Sequence, residues 1–324
     1  MQNETGRSEK PPGKEGKEMK KAIAIVLVLV IALMGFTGCQ KSKDKKLSVA
    51  YDKYAAELAS TGSSNGTLTV ALSPDFAPME FYDIAKSGDD AIVGFDVLLA
   101  KYLAKELGMK LVLKPMSFEA CQAAVQTGNV DIAISGFSWT KSRSENYELS
   151  DWYVAGENET QQSIICLKEN EGKFTKASDF KGHSIGYQGA SLQEQLVSET
   201  FGSMSDVDST TYVYSDLGVA VEALKAKQVD FLAVAHGNGE SIIASANGAI
   251  AFTGFDFEVA DIYKNNVCLL KKGNTDLVTK VNAALAKALA NDLYSGWYDA
   301  SKVYAGVSTL DELGFDDDGN KLSD

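Results

Sequence analysis

The chemically most suggestive stretch of the chain is Ser135-Gly136-Phe137-Ser138-Trp139-Thr140-Lys141-Ser142-Arg143. Arg143 comes seven residues after a glycine that ends a β-rich run, so its planar guanidinium can reach the strand end and hold a carboxylate through two parallel hydrogen bonds. The backbone of Gly136, bare for want of a side chain, and the Ser138 hydroxyl supply further donors or acceptors beside it. A second point suited to an anion is Ser191, which opens a helical run and stands three residues before Glu194, the spacing of a capping box. Helix N-termini carry unpaired N–H groups that favour negative charge. The chemistry these residues suit is capture of a small carboxylate.

Other patterns fail on context. Gly182-His183-Ser184-Ile185-Gly186 fits G-x-S-x-G, but a nucleophile elbow needs a strand before the serine and a helix after it, whereas here a polar loop precedes and a strand follows. Asp316-Asp317-Asp318-Gly319-Asn320 resembles the start of a calcium loop without its distal Glu, so a solvated acidic tail is expected. Two histidines, His183 and His236, and four cysteines with no C-x-x-C pair are too few soft ligands for the usual zinc sites. With no Walker or dinucleotide glycine motif, neither metal nor cofactor is expected. The 324 residues carry a net charge of −13, opposite to the basic surface that nucleic acid demands, so no nucleic-acid partner is expected either.

The elements that must position these residues follow from periodicity. A chain that is 45% hydrophobic and 23% charged is ordinary globular material, enough for one large domain or two lobes. From Thr67 onward, short β-rich runs alternate with helical patterns, which argues an α/β fold with a mainly parallel sheet. Strands are expected at 67–72, 111–113 and 131–135, and helices at 95–107, where Gly108 closes the helix, and at 118–126. A second series has strands at 163–167, 184–187 and 231–234 and helices at 192–201, 217–225 and 241–246. A strand at 266–270 and one long helix over 275–293 complete it. Two α/β lobes with a cleft between them account for this order.

The N-terminal region reads as an export signal. Lys20 and Lys21 precede an apolar run of 15 residues over 22–36, short of the roughly 20 that span a bilayer. Phe36-Thr37-Gly38-Cys39 then resembles a bacterial lipobox, so residues 1–38 are expected to be removed and Cys39 lipidated. Met19 would start a signal of ordinary length, so both Met1 and Met19 are candidate starts. Residues 39–66, ending in Ser60-Thr61-Gly62-Ser63-Ser64-Asn65-Gly66, have the composition of a flexible tether, and Lys41, Lys43, Lys45 and Lys46 favour anionic headgroups. Beyond residue 38 the net charge is −15, which suits solubility outside the cell. Cys121, Cys166 and Cys268 read as buried thiols, Cys166 and Cys268 being the pair to check.

Several short motifs stand in a telling order: Ser73-Pro74-Asp75-Phe76-Ala77-Pro78-Met79-Glu80-Phe81, Gly94-Phe95-Asp96-Val97, Gln126-Thr127-Gly128-Asn129-Val130-Asp131, the Arg143 stretch, Leu149-Ser150-Asp151-Trp152-Tyr153, Asp179-Phe180-Lys181-Gly182, and Lys271-Lys272-Gly273-Asn274-Thr275-Asp276-Leu277. Over 67–297 this set resembles the extracytoplasmic amino-acid-binding proteins of ABC transporters, solute-binding protein family 3. The resemblance implies a two-lobed fold of periplasmic-binding-protein type 2 with the ligand cleft between the lobes. The first lobe would comprise 67–157 and 264–300, the second 158–263, with 301–324 an acidic tail. Phe76, Phe118, Gly136, Ser138 and Arg143 would hold the solute from the first lobe, and Gln188, Ser191 and the loop of Ala235 and His236 would close from the second. Crossovers near 153–161 and 261–265 would form the hinge of a monomer that delivers its solute to an ABC permease.

The sequence departs from the family pattern in ways that bear on the solute. Ala235 stands where members commonly carry the Asp that binds the ligand's ammonium, leaving either Asp75, His236 or Glu240 as substitutes or a ligand without the usual amine arrangement. Ser73 occupies a position that is Asp in some members, and Gly189-Ala190 reverses the common order. The rival from another class is an enzyme on the same fold, a dehydratase of prephenate- or arogenate-like acids. It would need a catalytic carboxylate facing the ligand, and no residue is singled out for that role. A receptor's sensor lobe would be expected to continue into transmembrane and signalling segments.

Overall fold

The computed structural model describes residues 47–59, 65–153, 160–210 and 212–322. The expected signal at 1–38, the lipidation position Cys39 and the crossover residues 154–159 lie outside the described residues, as do 60–64 of the expected tether. Helix α1 (Val49–Glu57) comes first, followed by β1 (Thr67–Leu72), β2 (Asp75–Phe76), β3 (Glu80–Tyr82), β4 (Ile92–Val93), α2 (Phe95–Glu106), β5 (Lys110–Pro115), α3 (Phe118–Thr127), β6 (Ile132–Ala133), α4 (Lys141–Asn146) and β7 (Tyr147–Leu149). Then come β8 (Gln162–Leu167), β9 (Ile185–Gln188), α5 (Leu192–Phe201), β10 (Val213–Tyr214), α6 (Leu217–Lys225), β11 (Phe231–Ala235), α7 (His236–Ser245) and β12 (Ile250–Asp256). The chain ends through β13 (Leu269–Lys271), α8 (Thr275–Ala290) and α9 (Leu293–Tyr304).

Two five-stranded sheets organise two lobes. The first has the order β5-β1-β6-β13-β7, the second β10-β9-β11-β8-β12, and β2, β3 and β4 make a small antiparallel sheet of their own. In the first, β5, β1 and β6 run parallel and β13 joins antiparallel, so the chain leaves this lobe after β7 and returns to it with β13. In the second, β10, β9 and β11 run parallel while β8 and β12 pair antiparallel. All five residues of β11 are buried, the near-continuous apolar run typical of a central parallel strand covered on both faces.

Helix α2 shows why the site's scaffold is rigid. Its expected apolar face, Phe95, Leu98, Leu99, Tyr102 and Leu103, is buried, and so are Val97, Ala100 and Ala104 on the other sides. The helix can start so close to the small sheet because Gly94, at φ 123°, has no Cβ; one placed there would lie 2.3 Å from the Met79 carbonyl oxygen. The long helix expected over 275–293 is two helices. Asp292 takes the left-handed conformation, φ 49°, which Asn and Asp tolerate better than most residues, and turns the chain between α8 and α9.

Two sequence expectations give way. Within the expected tether 39–66, residues around α1 are packed: Ala50 and Tyr51 are buried, and the Tyr51 ring lies 5.1 Å from that of Tyr304 on α9. The C-terminal stretch is not simply a solvated tail, since Leu310 and Phe315 are buried in the first lobe's core and Gly319 sits against the backbone of Val49 and Ala50. The Asp316 carboxylate accepts from the N–H groups of Asp318 and Asn320 and from Asn320 Nδ2, which closes that turn. The three cysteines are free and buried. Ser184 lies just before β9, and its N–H and hydroxyl both bond Asp230 Oδ2, a structural use of the G-x-S-x-G serine.

Phe315→Ala should therefore lower unfolding free energy by about 3–5 kcal/mol, the cost of emptying a core aromatic position. Urea denaturation measures this, and a loss below about 1 kcal/mol would return the tail to solvent.

Candidate functional site

The ends of elements from both lobes surround a small cavity lined by Phe76, Phe118, Ser135, Gly136, Ser138 and Arg143 from the first lobe and its returning Asn266, and by Gln162, Gln188, Ser191, Leu192, Gln193 and Ala235 from the second. Its volume is about 30 Å³, room for a few ordered waters. The lobes are shut on one another, and they must part to admit any larger solute.

Arg143 sits on α4, whose start is fixed by Thr140 Oγ1 accepting from the Arg143 N–H at 3.1 Å. The side chain is 4% exposed. Nη1 donates to the Ser138 carbonyl at 2.7 Å, Nη2 to the Ala190 carbonyl of the second lobe at 2.8 Å, and Nε to Gln122 Oε1 at 3.4 Å. The rings of Phe118 and Phe137 lie 5.5 and 5.1 Å from the guanidinium carbon, within cation–π reach. Burial pulls its pKa down to about 10, which leaves it charged at neutral pH. Among the described residues no carboxylate forms an ion pair with it.

Of the other residues expected at the site, Phe76, Phe118, Gly136, Ser138, Gln188 and Ser191 line the cavity with Arg143. Phe118 stacks on Phe137 at 4.6 Å. Gly136, at φ 57°, is required because a Cβ there would lie 2.7 Å from Phe76 Cε1. Its N–H is already given to Asp96 Oδ2 at 2.7 Å, so Gly136 shapes the wall and lets Phe76 approach. The Ser191 hydroxyl donates to the Gln188 carbonyl and accepts from the Glu194 N–H, while Glu194 Oε2 takes the N–H of Ala190, one residue before the cap. His236 is turned elsewhere: its Nδ1 is 2.8 Å from Ser163 Oγ, and its ring stacks on Phe252 at 4.2 Å. Its neighbour Ala235 faces the cavity instead.

Gln162, Gln193 and Asn266 escaped sequence reasoning. Gln162 reaches the site because β8 pairs with β11 in the register that sets Gln162 opposite Ala235; Gln193 lies in the first turn of α5. Asn266 bridges to Ser138 and Tyr153 in the strand-like crossing between the lobes. Single amides in polar surroundings carry no local signal. Ser135 was part of the quoted stretch, and its hydroxyl gives a short hydrogen bond to Glu80.

A buried acid pair underlies this wall. Glu80 and Asp96 are fully buried beside each other. Asp96 Oδ2 also accepts from Tyr153 Oη at 3.2 Å. Desolvation first, and then the charge of Asp96, raises Glu80 well above the carboxylate range, and desolvation pushes Asp96 up to about 7. Glu80 Oε2 and Asp96 Oδ1 have no protein hydrogen-bond partner, which disfavours a negative charge on either. Asp75 plays a different part. Its Oδ1 accepts from Ser73 Oγ at 2.8 Å, and its Oδ2 accepts from Gln188 Nε2 and from the Leu217 N–H at the start of α6, both at 2.9 Å. With Asn238 Nδ2 donating to the Ala77 carbonyl, these bonds hold the lobes together.

Two α/β lobes joined by two crossovers and shut over a buried cation define a bilobal solute-binding protein. The chain belongs to the bacterial extracellular solute-binding proteins, family 3, whose sequence model matches residues 68–300. It is 29% identical over 224 residues to the L-cystine-binding protein TcyJ of Escherichia coli K12, covering 68% of this chain and 77% of that protein. It is 34% identical over 139 residues to the arginine-binding extracellular protein ArtP of Bacillus subtilis, covering 42% and 50%. Among solved structures, the amino acid ABC transporter substrate-binding protein AbpA of Streptococcus pneumoniae, bound to L-arginine, matches with a TM-score of 0.65 at 29% identity, covering 75% of this chain and 97% of that one. An ancestral arginine-binding protein bound to glutamine matches with a TM-score of 0.62 at 28% identity, covering 72% and 97%. These relatives are named for solute binding, and nothing among them supports the dehydratase alternative. Among the described residues no helix is long and apolar enough to cross a membrane.

The acid pair predicts the direction of a pH dependence. Because both native pKa values are raised, the folded chain holds protons that the unfolded chain releases above its ordinary carboxylate range. This contribution is complete below about pH 4 and is lost as pH rises toward 7. Glu80→Gln removes one titrating group, so its stability should fall less steeply than wild type between pH 5 and 7, by roughly 1 kcal/mol per pH unit for one proton. Parallel curves from denaturation at stepped pH would mean that the pair holds no extra proton.

Proposed function

We propose that the protein is the extracytoplasmic substrate-binding component of an ABC importer, and that it closes on a small carboxylate-bearing solute, an amino acid or a close relative of one. The observation that carries this reading is Arg143: a buried guanidinium at the meeting of the lobes, with no acidic partner among the described residues and with Phe118 against its face. A solute carboxylate would replace the Ala190 and Ser138 carbonyls as the acceptor of its forked N–H groups. Phe76 and Phe118 would flank the apolar part of the solute, and the start of α5 at Ser191 would offer N–H groups to the same anion. Gln188 would follow the second lobe as it moves about the two crossovers.

The matched relatives support this reading, since they carry cystine, arginine or histidine in their names and the structures hold arginine or glutamine. In the same reading the mature chain acts as a monomer, is held by lipid on Cys39 outside the cytoplasmic membrane, and presents its closed form to a permease.

A thermal-shift screen against amino acids, keto acids and amines tests it, because a ligand at about 100 times its dissociation constant adds roughly 2.7 kcal/mol of stability. Carboxylates should shift the melting temperature and simple amines should not. Arg143→Ala should weaken binding of any hit by about 2–5 kcal/mol, roughly 30-fold or more. Unchanged affinity in that variant would remove the carboxylate clamp from Arg143. Asp75→Asn weakens the bridges to Gln188 and to α6 and should raise the dissociation constant by about 3- to 10-fold without altering which solutes bind; altered selectivity would make Asp75 a ligand contact.

A further inference from the structure

The charges around the cavity do not balance for a zwitterion. Its described lining holds one cation, Arg143, and no Asp or Glu; the polar remainder is hydroxyls and the amides of Gln162, Gln188, Gln193 and Asn266. We infer that the preferred solute is a carboxylate whose remaining polar groups are uncharged, such as an α-hydroxy, α-keto or N-acyl acid, and not a free α-amino acid. This rests on the reading that Arg143 takes the carboxylate.

The second-lobe wall is where the inference is decided. Ala235 ends β11 and presents only a methyl group to the cavity, and beside it on β8 lies Gln162, whose Oε1 accepts from Gln193 Nε2 at 2.6 Å. An amide pair of this kind can give or take a hydrogen bond once a solute enters, so it satisfies a hydroxyl, a keto oxygen or an amide. It supplies no charge to an ammonium. Carboxylates near the cleft are committed elsewhere: Asp75 to Ser73, Gln188 and Leu217, Asp96 to Gly136 and Tyr153, Glu194 to Ala190. The Ser138 and Ala190 carbonyls, released when a carboxylate takes the guanidinium, can accept hydrogen bonds but carry no formal charge to offset an ammonium. An anionic solute neutralises Arg143 when the lobes shut. A zwitterion neutralises it too but adds a buried ammonium with no counter-charge among the described lining residues, the most expensive kind of group to take out of water.

The test uses the purified chain and calorimetric titration with matched sets: an α-amino acid with its α-hydroxy, α-keto and N-acetyl counterparts, carrying the side chains of alanine, leucine, phenylalanine, glutamine and arginine. In the sets that bind, an uncharged-end member should bind at least about tenfold more tightly than the amino acid. Ala235→Asp, which restores an anion to this wall, should reverse that order; Gln162→Glu does the same from the adjacent strand if Ala235→Asp fails to fold. An amino acid as the tightest member of wild-type sets would overturn this inference and leave the carboxylate clamp standing. Absence of binding by every carboxylate would overturn both.

Discussion

Burying a guanidinium costs several kcal/mol unless its donors find acceptors and its charge finds a use, and in this protein the burial of Arg143 organises the cleft. A six-residue helix capped by Thr140 fixes its backbone, Phe118 and Phe137 pack against its plane, and carbonyls from both lobes accept its N–H groups. Since no described carboxylate pairs with it, the cation is satisfied by hydrogen bonds while its charge stays uncompensated. A site in that condition is poised for an anion. Closure and recognition are then coupled, because the group that would bind the solute is the group that already bonds across the lobes.

The rest of the first lobe holds that cation's surroundings in place. Gly136 lets Phe76 approach, Asp96 holds the Gly136 N–H, and Glu80 holds the Ser135 hydroxyl. Burial raises the pKa of both acids, which disfavours a second charge at this apolar depth. Asp75, less deeply placed, uses its carboxylate at the N-terminus of α6, where the helix dipole and a free N–H favour it. Carboxylates in the first lobe therefore position and latch, while the described lining of the cavity carries one sign of charge.

Much of this was legible in the sequence, and the failures have physical causes. Strands such as β1 and β11 and helix α2 announce themselves through apolar periodicity. Arg143, Gly136, Ser138 and Phe76 belong to stretches whose order carries the family resemblance, and Phe118 follows from what that resemblance implies. The misreadings come from long-range packing. Ala50, Tyr51, Leu310 and Phe315 are sparse apolar residues in polar surroundings, and only their contacts in the same core reveal that α1 and the C-terminal turn are folded. Strands β2, β4 and β6 have two residues each, too few for a period to register. The continuous Ala and Leu pattern of α8 hides the turn at Asp292, and a loop position next to Ala235 could not reveal that His236 stacks on Phe252.

On this reading the buried guanidinium of Arg143 receives a solute carboxylate as the lobes close. A crystal structure of the protein with a carboxylate that stabilises it tests this most directly. Both carboxylate oxygens should lie within hydrogen-bond distance of the Arg143 Nη atoms, with the Ala190 carbonyl displaced from Nη2. A solute bound in the cleft while Arg143 keeps its bonds to Ser138 and Ala190 would contradict it.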